Sequence, residues 1–203
     1  MGHLAKLRAA RGWKEARIGL EMHNYGFSAK AHTTLLKAFK ESNLHDSTGL
    51  VNWQRGVKSD LEVAFIRRAA KIVDAMHAKV FELVEPGMAK NTLIAEVQKQ
   101  SILGADGHWG DYAAFVPMAP SGQDATAPHL TWDDRPFKKG EGTFFELGGC
   151  YRRYHAPLSR TVYLGKPPQK FLEAEKAVLD AMSAGLDMAK PGKTCGDVAD
   201  AFF

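Results

Sequence analysis

Two side chains stand out as able to do chemistry together, an imidazole at His129 and a carboxylate at Glu146. His129 closes the run Ser121-Gly122-Gln123-Asp124-Ala125-Thr126-Ala127-Pro128-His129, a flexible polar approach that delivers one imidazole just after a proline. Glu146 lies in Gly142-Thr143-Phe144-Phe145-Glu146-Leu147-Gly148-Gly149, an apolar strand that runs into two glycines. A carboxylate flanked by Phe145 and Leu147 is expected to be buried on one face. Such burial is costly unless something pairs with the charge or uses it. An imidazole can serve as general acid and base, and a carboxylate as nucleophile or counter-ion. The residue types leave a plainer account open. Glu146 would then be structural, bonded to Arg152, Arg153 or Arg160, and His129 an ordinary loop histidine.

The elements that must position these groups follow from periodicity. Residues 17–22 alternate apolar and polar and read as a short strand. Ser28 is placed to cap a helix through AKAHTTLLKAFKES, with Leu35, Leu36 and Phe39 as its apolar stripe. A second strand is expected at residues 49–53. At Ser59-Asp60-Leu61-Glu62 a capping-box pattern opens a long helix whose stripe runs from Leu61 through Phe65, Ile72, Met76 and Val80 to Leu83. Glu85-Pro86-Gly87 stops it, and a further helix is expected over residues 91–102. Residues 105–128 are rich in Gly, Pro, Asp and Ser and read as a functional loop. Strands are then expected at 142–147, 150–154 and 160–164, with Gly148-Gly149 as the hairpin turn between the first two. A helix over 171–189 and one capped by Thr194 complete the chain. The final Phe202-Phe203 leaves that helix unfinished, so the sequence reads as cut at both ends. Residues 1–54 read as the remnant of one domain and 55–203 as part of a second.

Composition narrows the function class. The chain has 203 residues, 45% hydrophobic and 25% charged, which is ordinary globular composition. Net charge is +4 without a long basic run, so a nucleic-acid partner is not expected. No window reaches the roughly 18 apolar residues of a membrane helix, and the N-terminus has no signal-peptide pattern. Cys150 and Cys195 could pair, but two reduced thiols in a cytoplasmic protein are the simpler expectation. His23, His32, His45 and His77 fall outside any motif and read as surface or packing residues.

From Ser59 onward the chain resembles the pita-bread hydrolases, the creatinase and Xaa-Pro peptidase family. The run Arg55-Gly56-Val57-Lys58-Ser59-Asp60-Leu61-Glu62 is similar to the segment joining that family's two domains. Pro128-His129 stands where the family keeps a substrate-binding histidine. Residues 143–161 match the hairpin that supplies the first two metal ligands. Ala127-Pro128-His129-Leu130-Thr131-Trp132-Asp133-Asp134-Arg135-Pro136 and Pro157-Leu158-Ser159-Arg160-Thr161-Val162 are similar to the family's cyclic-amidine hydrolases. The resemblance implies an α+β fold: the first half of a pita-bread domain, preceded by the tail of a creatinase-like N-terminal domain. It also implies a homodimer and a small-molecule substrate.

One departure carries weight. In the metal-dependent relatives, two aspartates eleven positions apart bridge two divalent ions. Glu146 occupies the first position and Pro157, which has no donor atom, the second. A two-metal site needs anionic oxygens to clamp both cations, so neither metal nor cofactor is expected. His155 could hold one shifted metal but not readily two. What remains is a carboxylate and an imidazole facing a polar ligand. The resemblance implies hydrolysis of a cyclic amidine, with Glu146 as counter-ion or nucleophile and His129 as acid and base. Arg153 and Arg160 are candidates for binding a substrate carboxylate, Trp132 for packing on the cation, and Asp111 and Tyr112 for lining the pocket. The competing readings are a metal-dependent Xaa-Pro dipeptidase and an inactive binding module or fragment.

Overall fold

The computed structural model describes residues 2–13, 15–39 and 43–203. The chain divides between Leu61 and Glu62 into two compact units. The first contains helix α1 (Gly2–Ala10), strand β1 (Ile18–Leu20), helix α2 (Ala29–Ala38), strand β2 (Leu44–Asp46) and a short helix α3 (Leu50–Gln54). Strands β1 and β2 pair in parallel, Gly19 against His45. Ser28 caps α2 as expected, its hydroxyl accepting from the Ala31 amide at 3.2 Å. The last three residues of that expected helix, Lys40, Glu41 and Ser42, lie outside the described residues. Leu35 and Phe39 are buried, and the Arg8 guanidinium lies 4.5 Å from the Phe39 ring centre.

The strand expected at residues 49–53 is not there. The Asp46 carboxylate accepts from the Thr48 amide at 2.8 Å and ends β2 in a turn. Gly49, at φ +80°, then swings the chain into α3. The left-handed region open to glycine makes that reversal possible. Helix α1 carries only a weak apolar stripe, so periodicity does not reveal it.

The second unit is built on helix α4, which spans Asp60–Leu83 and crosses the division at its start, and on helix α5 (Lys90–Leu103). Ala69, Ile72, Val73, Met76 and Val80 of α4 meet Leu93, Ile94 and Val97 of α5 in one buried cluster with Phe137, Phe145, Leu147 and Tyr151. Strands β3 (Gly142–Tyr151) and β4 (Tyr154–Tyr163) form a long antiparallel hairpin across it. Helices α6 (Gln169–Met188) and α7 (Cys195–Phe202) follow. The Thr194 hydroxyl and the Asp197 carboxylate form the reciprocal capping box at the start of α7. No helix among the described residues is long and apolar enough to cross a membrane.

Two strands therefore replace the three expected, and the turn is not at Gly148-Gly149. It is made by Arg152 and Arg153, at φ +48° and +67°, the paired left-handed conformation of the tightest hairpin turns. The glycines serve packing instead. A Cβ on Gly149 would stand 2.1 Å from the Ala69 carbonyl oxygen and 2.7 Å from the Val73 amide nitrogen. Helix α4 thus lies directly on the strand there. A Cβ on Gly148 would meet the Phe115 ring at 2.6 Å.

Candidate active site

The β3–β4 register sorts the hairpin side chains onto two faces, because successive residues of a strand alternate. Thr143, Phe145 and Leu147 are buried against the core. Glu146 therefore points to the other face and is only half-buried, which corrects the expectation of a buried carboxylate. Its cross-strand partner is Ser159, and Phe144 pairs with Thr161, Gly148 with Pro157 and Cys150 with His155. On its other edge β3 meets the loop. The Met118 amide donates to the Glu146 carbonyl at 3.0 Å, and the Glu146 amide donates to the Met118 carbonyl at 3.1 Å. Met118 therefore shares the Glu146 face. Phe144, Met118 and Pro157, with Phe115 over Gly148, share this face with the hydroxyl-bearing Ser159 and Thr161.

None of the three arginines offered as structural partners holds Glu146. Arg153 donates to the Tyr112 carbonyl at 2.7 Å, and its guanidinium lies 3.8 Å from the Tyr112 ring centre. Arg152 lies 5.9 Å from the Tyr151 ring centre. Arg160 stands opposite Phe145 in the register, on the face away from Glu146, and donates to the Ser159 carbonyl at 2.7 Å. That alternation takes Arg160 away from the substrate-binding position considered for it. Among the described residues the Glu146 carboxylate makes no hydrogen bond or ion pair.

Asp111, Tyr112 and Arg153 come together at the tip of the hairpin. The Asp111 amide donates to the Cys150 carbonyl at 2.9 Å, and its carboxylate lies 3.8 Å from Arg153. The Ala114 amide donates to His155 Nε2 at 2.9 Å, so the proton of that ring sits on Nδ1, 3.0 Å from the Arg153 carbonyl. Burial, with Asp111 nearby, pushes the Cys150 thiol up from its usual range. Cys150 and Cys195 are both free thiols.

His129 sits apart from this cluster, exposed and at φ +68°, in the loop after a single 3-10 turn at residues 122–126. That turn follows Ser121, whose hydroxyl bonds Thr143 at 2.7 Å. The His129 loop thus leaves the β3 edge at Thr143, three residues before Glu146, and no hydrogen bond joins the His129 and Glu146 side chains among the described residues. Trp132 is half-buried and packs against the core cluster. Phe115 and Met118 line the Glu146 face and carry no motif; only the register and the close approach at Gly148 reveal them.

Residues 64–202 match the profile of metallopeptidase family M24. The chain belongs to that family. This M24 chain is 51% identical to the ectoine hydrolase of Halomonas elongata, over 93% of its own length and 49% of that protein. It is 35% identical to an uncharacterized hydrolase/peptidase, y4tM, of Sinorhizobium fredii, over 88% of this chain and 45% of that one. The chain spans about half the length of these curated relatives. In three dimensions it is similar to a dipeptidase of Pyrococcus horikoshii, with a TM-score of 0.84 at 22% identity over 99% of this chain and 54% of that one. That similarity establishes the α+β pita-bread fold.

A metallopeptidase family implies a divalent metal, and the donors on this M24 chain's hairpin do not fit a two-metal site. The register puts position 157 on the Glu146 face, where a second carboxylate would project, and a proline ring stands there. His155 lies on the same face, but its Nε2 accepts from Ala114 and its Nδ1 faces Arg153. Burial raises the pKa of the Cys150 thiol and so disfavours the thiolate that a metal would need. Among the described residues no three His, Cys, Asp or Glu side chains gather as a metal site.

Proposed function

We propose that the complete protein carrying this chain opens the amidine ring of ectoine without a metal, as a cytoplasmic homodimer. The observation that carries the reading is the hairpin face itself. Among the described residues Glu146 stands on that face without a charged partner, and Pro157 shares the face at the position where the family resemblance leads one to expect a second acidic residue. The 51% identity to an ectoine hydrolase supports the substrate.

Ectoine is a cyclic amidine with a carboxylate, and its amidine is cationic at neutral pH. Glu146 pairs with that cation, since opposite charges keep each other ionised. It then attacks or braces the amidine carbon, while His129 activates water. Water supplies the oxygen of the new acetamide. One ring C–N bond breaks, and the departing nitrogen takes its proton from His129. The product is an N-acetylated 2,4-diaminobutyrate. Arg153, with Asp111 and Tyr112, lies at the hairpin tip where it can meet the substrate carboxylate.

Exhaustive chelation of the complete protein, followed by assay of ectoine ring opening, tests this reading. Activity is expected to persist. Loss of activity restored by manganese or cobalt would return the protein to the metal-dependent dipeptidase class.

A further inference from the structure

The position of His129 raises a physical problem that the loop itself does not solve. Among the described residues, the chain from Pro128 to Trp132 makes no backbone hydrogen bond to the rest of the protein. His129 is exposed, and its place is set by where the two ends of its loop are held. Those ends are well held. On the near side, Asp124 belongs to the 3-10 turn that follows the Ser121–Thr143 bond to β3. On the far side, the Asn91 amide donates to the Asp133 carbonyl at 3.0 Å and the Lys90 amide to the Arg135 carbonyl at 3.2 Å. The buried Lys90 ammonium pairs with the Asp133 carboxylate at 3.3 Å.

One guanidinium joins the two sides. Arg135 Nε donates to the Asp133 carboxylate at 2.7 Å, and Arg135 Nη2 donates to both Asp133 and Asp124. The planar fork of arginine suits such a double role, and lysine offers only a point charge. Hydrogen bonds from Arg135 hold the Asp133 carboxyl below the usual carboxylate range, so the clasp stays charged through neutral pH.

We infer that Arg135 is a positioning residue that clasps the loop from Asp124 to Asp133 and thereby holds His129 in its working place. This inference rests on the reading of His129 as the acid and base of ring opening. The magnitudes separate a positioning role from a stabilising one. Arg135 is 60% exposed, and exposed ion pairs contribute at most about 1 kcal/mol to folding. The core and the Lys90–Asp133 pair keep the fold when Arg135 is lost. Catalysis is far more sensitive, because a misplacement of about 1 Å can cost on the order of 100-fold in rate.

The test uses the complete protein with Arg135→Gln, Arg135→Lys, Asp124→Asn and the double variant Asp124→Asn/Arg135→Gln. Arg135→Gln is expected to lower kcat by about 10- to 100-fold, with KM changed less than about threefold and little change in melting temperature. Arg135→Lys should recover part of the loss. Asp124→Asn should match Arg135→Gln, and the double variant should be no worse than either, as for two ends of one contact. Backbone order parameters of Leu130 and Thr131 supply a readout independent of substrate. They should fall from about 0.85 in the parent to below about 0.6 in Arg135→Gln. An unchanged kcat, or loop amides that stay rigid, would overturn the clasp. If the parent protein fails to open ectoine, the functional reading falls, and the amide measurement alone then judges the clasp.

Discussion

Glu146 and Met118 exchange both of their backbone hydrogen bonds, at 3.0 and 3.1 Å, across the edge of the hairpin. The Glu146 backbone is thus bonded on one side by Met118 in the loop, and on the other it faces Ser159 of β4 in the hairpin register. Its side chain is held by nothing within the described part of the chain. Folding and chemistry are therefore separable at this residue.

Glu146→Gln makes that separation measurable. The substitution keeps the size and the backbone pairing and removes the charge. Ectoine ring opening by the complete protein should fall by about 1,000-fold or more, the scale seen when a reacting group is removed. The urea midpoint should stay unchanged. Near-normal turnover would remove Glu146 from the mechanism.

Gly149→Ala should have the opposite profile. The added methyl would lie 2.1 Å from the Ala69 carbonyl oxygen, and backbone cannot give way as a flexible side chain can. Overpacking of this kind costs about 1–3 kcal/mol, to be read from the urea midpoint. A variant as stable as the parent would show that α4 can move off the strand freely.

His77 predicts an acid limit to stability. Burial is the main cause that holds its imidazole below the usual pKa of about 6.5. Its Nε2 donates to the Leu158 carbonyl at 3.1 Å, while the buried Nδ1 has no partner among the described residues. The unfolded chain therefore binds this proton at a higher pH than the folded one. The stabilising contribution is complete above about pH 6.5 and is lost as pH falls from there toward the lowered folded value. His77→Met should flatten that part of the urea-midpoint profile. Parallel profiles for parent and variant would show that His77 is not responsible.

Thiol labelling should distinguish the two cysteines. Cys150 is buried and its pKa is raised, so its thiolate is scarce, whereas Cys195 is exposed at the start of α7. With this chain under native conditions and mild alkali, iodoacetamide should modify Cys195 first and Cys150 only on unfolding. Peptide mass mapping at early times checks the order, and equal rates would contradict the burial of Cys150.

The elements that rest on local chemistry were legible in the sequence. The Ser28 and Thr194 caps, the long stripe of α4 and the stop at Pro86-Gly87 all depend on residues within a turn or two of each other. Elements decided by distant contacts were not. Gly148-Gly149 has the local look of a turn, but α4 and Phe115 require glycine inside the strand, and the reversal falls on Arg152-Arg153. Residues 49–53 are apolar enough for a strand, but the Asp46–Thr48 turn and Gly49 start a helix instead.

The candidate site divides along the same line. Residue identity and spacing alone singled out His129 and Glu146 as groups able to react, and the family resemblance marked Pro157 as standing where a carboxylate is expected. Which residues share a face depends on long-range contacts in the folded chain. The tertiary structure turned Glu146 away from the core while Phe145 and Leu147 face inward, sent Arg160 to the other side, and gathered Asp111, Tyr112 and Arg153 at the hairpin tip. It also joined Asp124 to Arg135 around His129. The reason is that a β-strand alternates its faces, and which face meets the core depends on the partner that covers it. That partner, here helix α4 lying against Gly149, comes from a part of the chain far away in sequence.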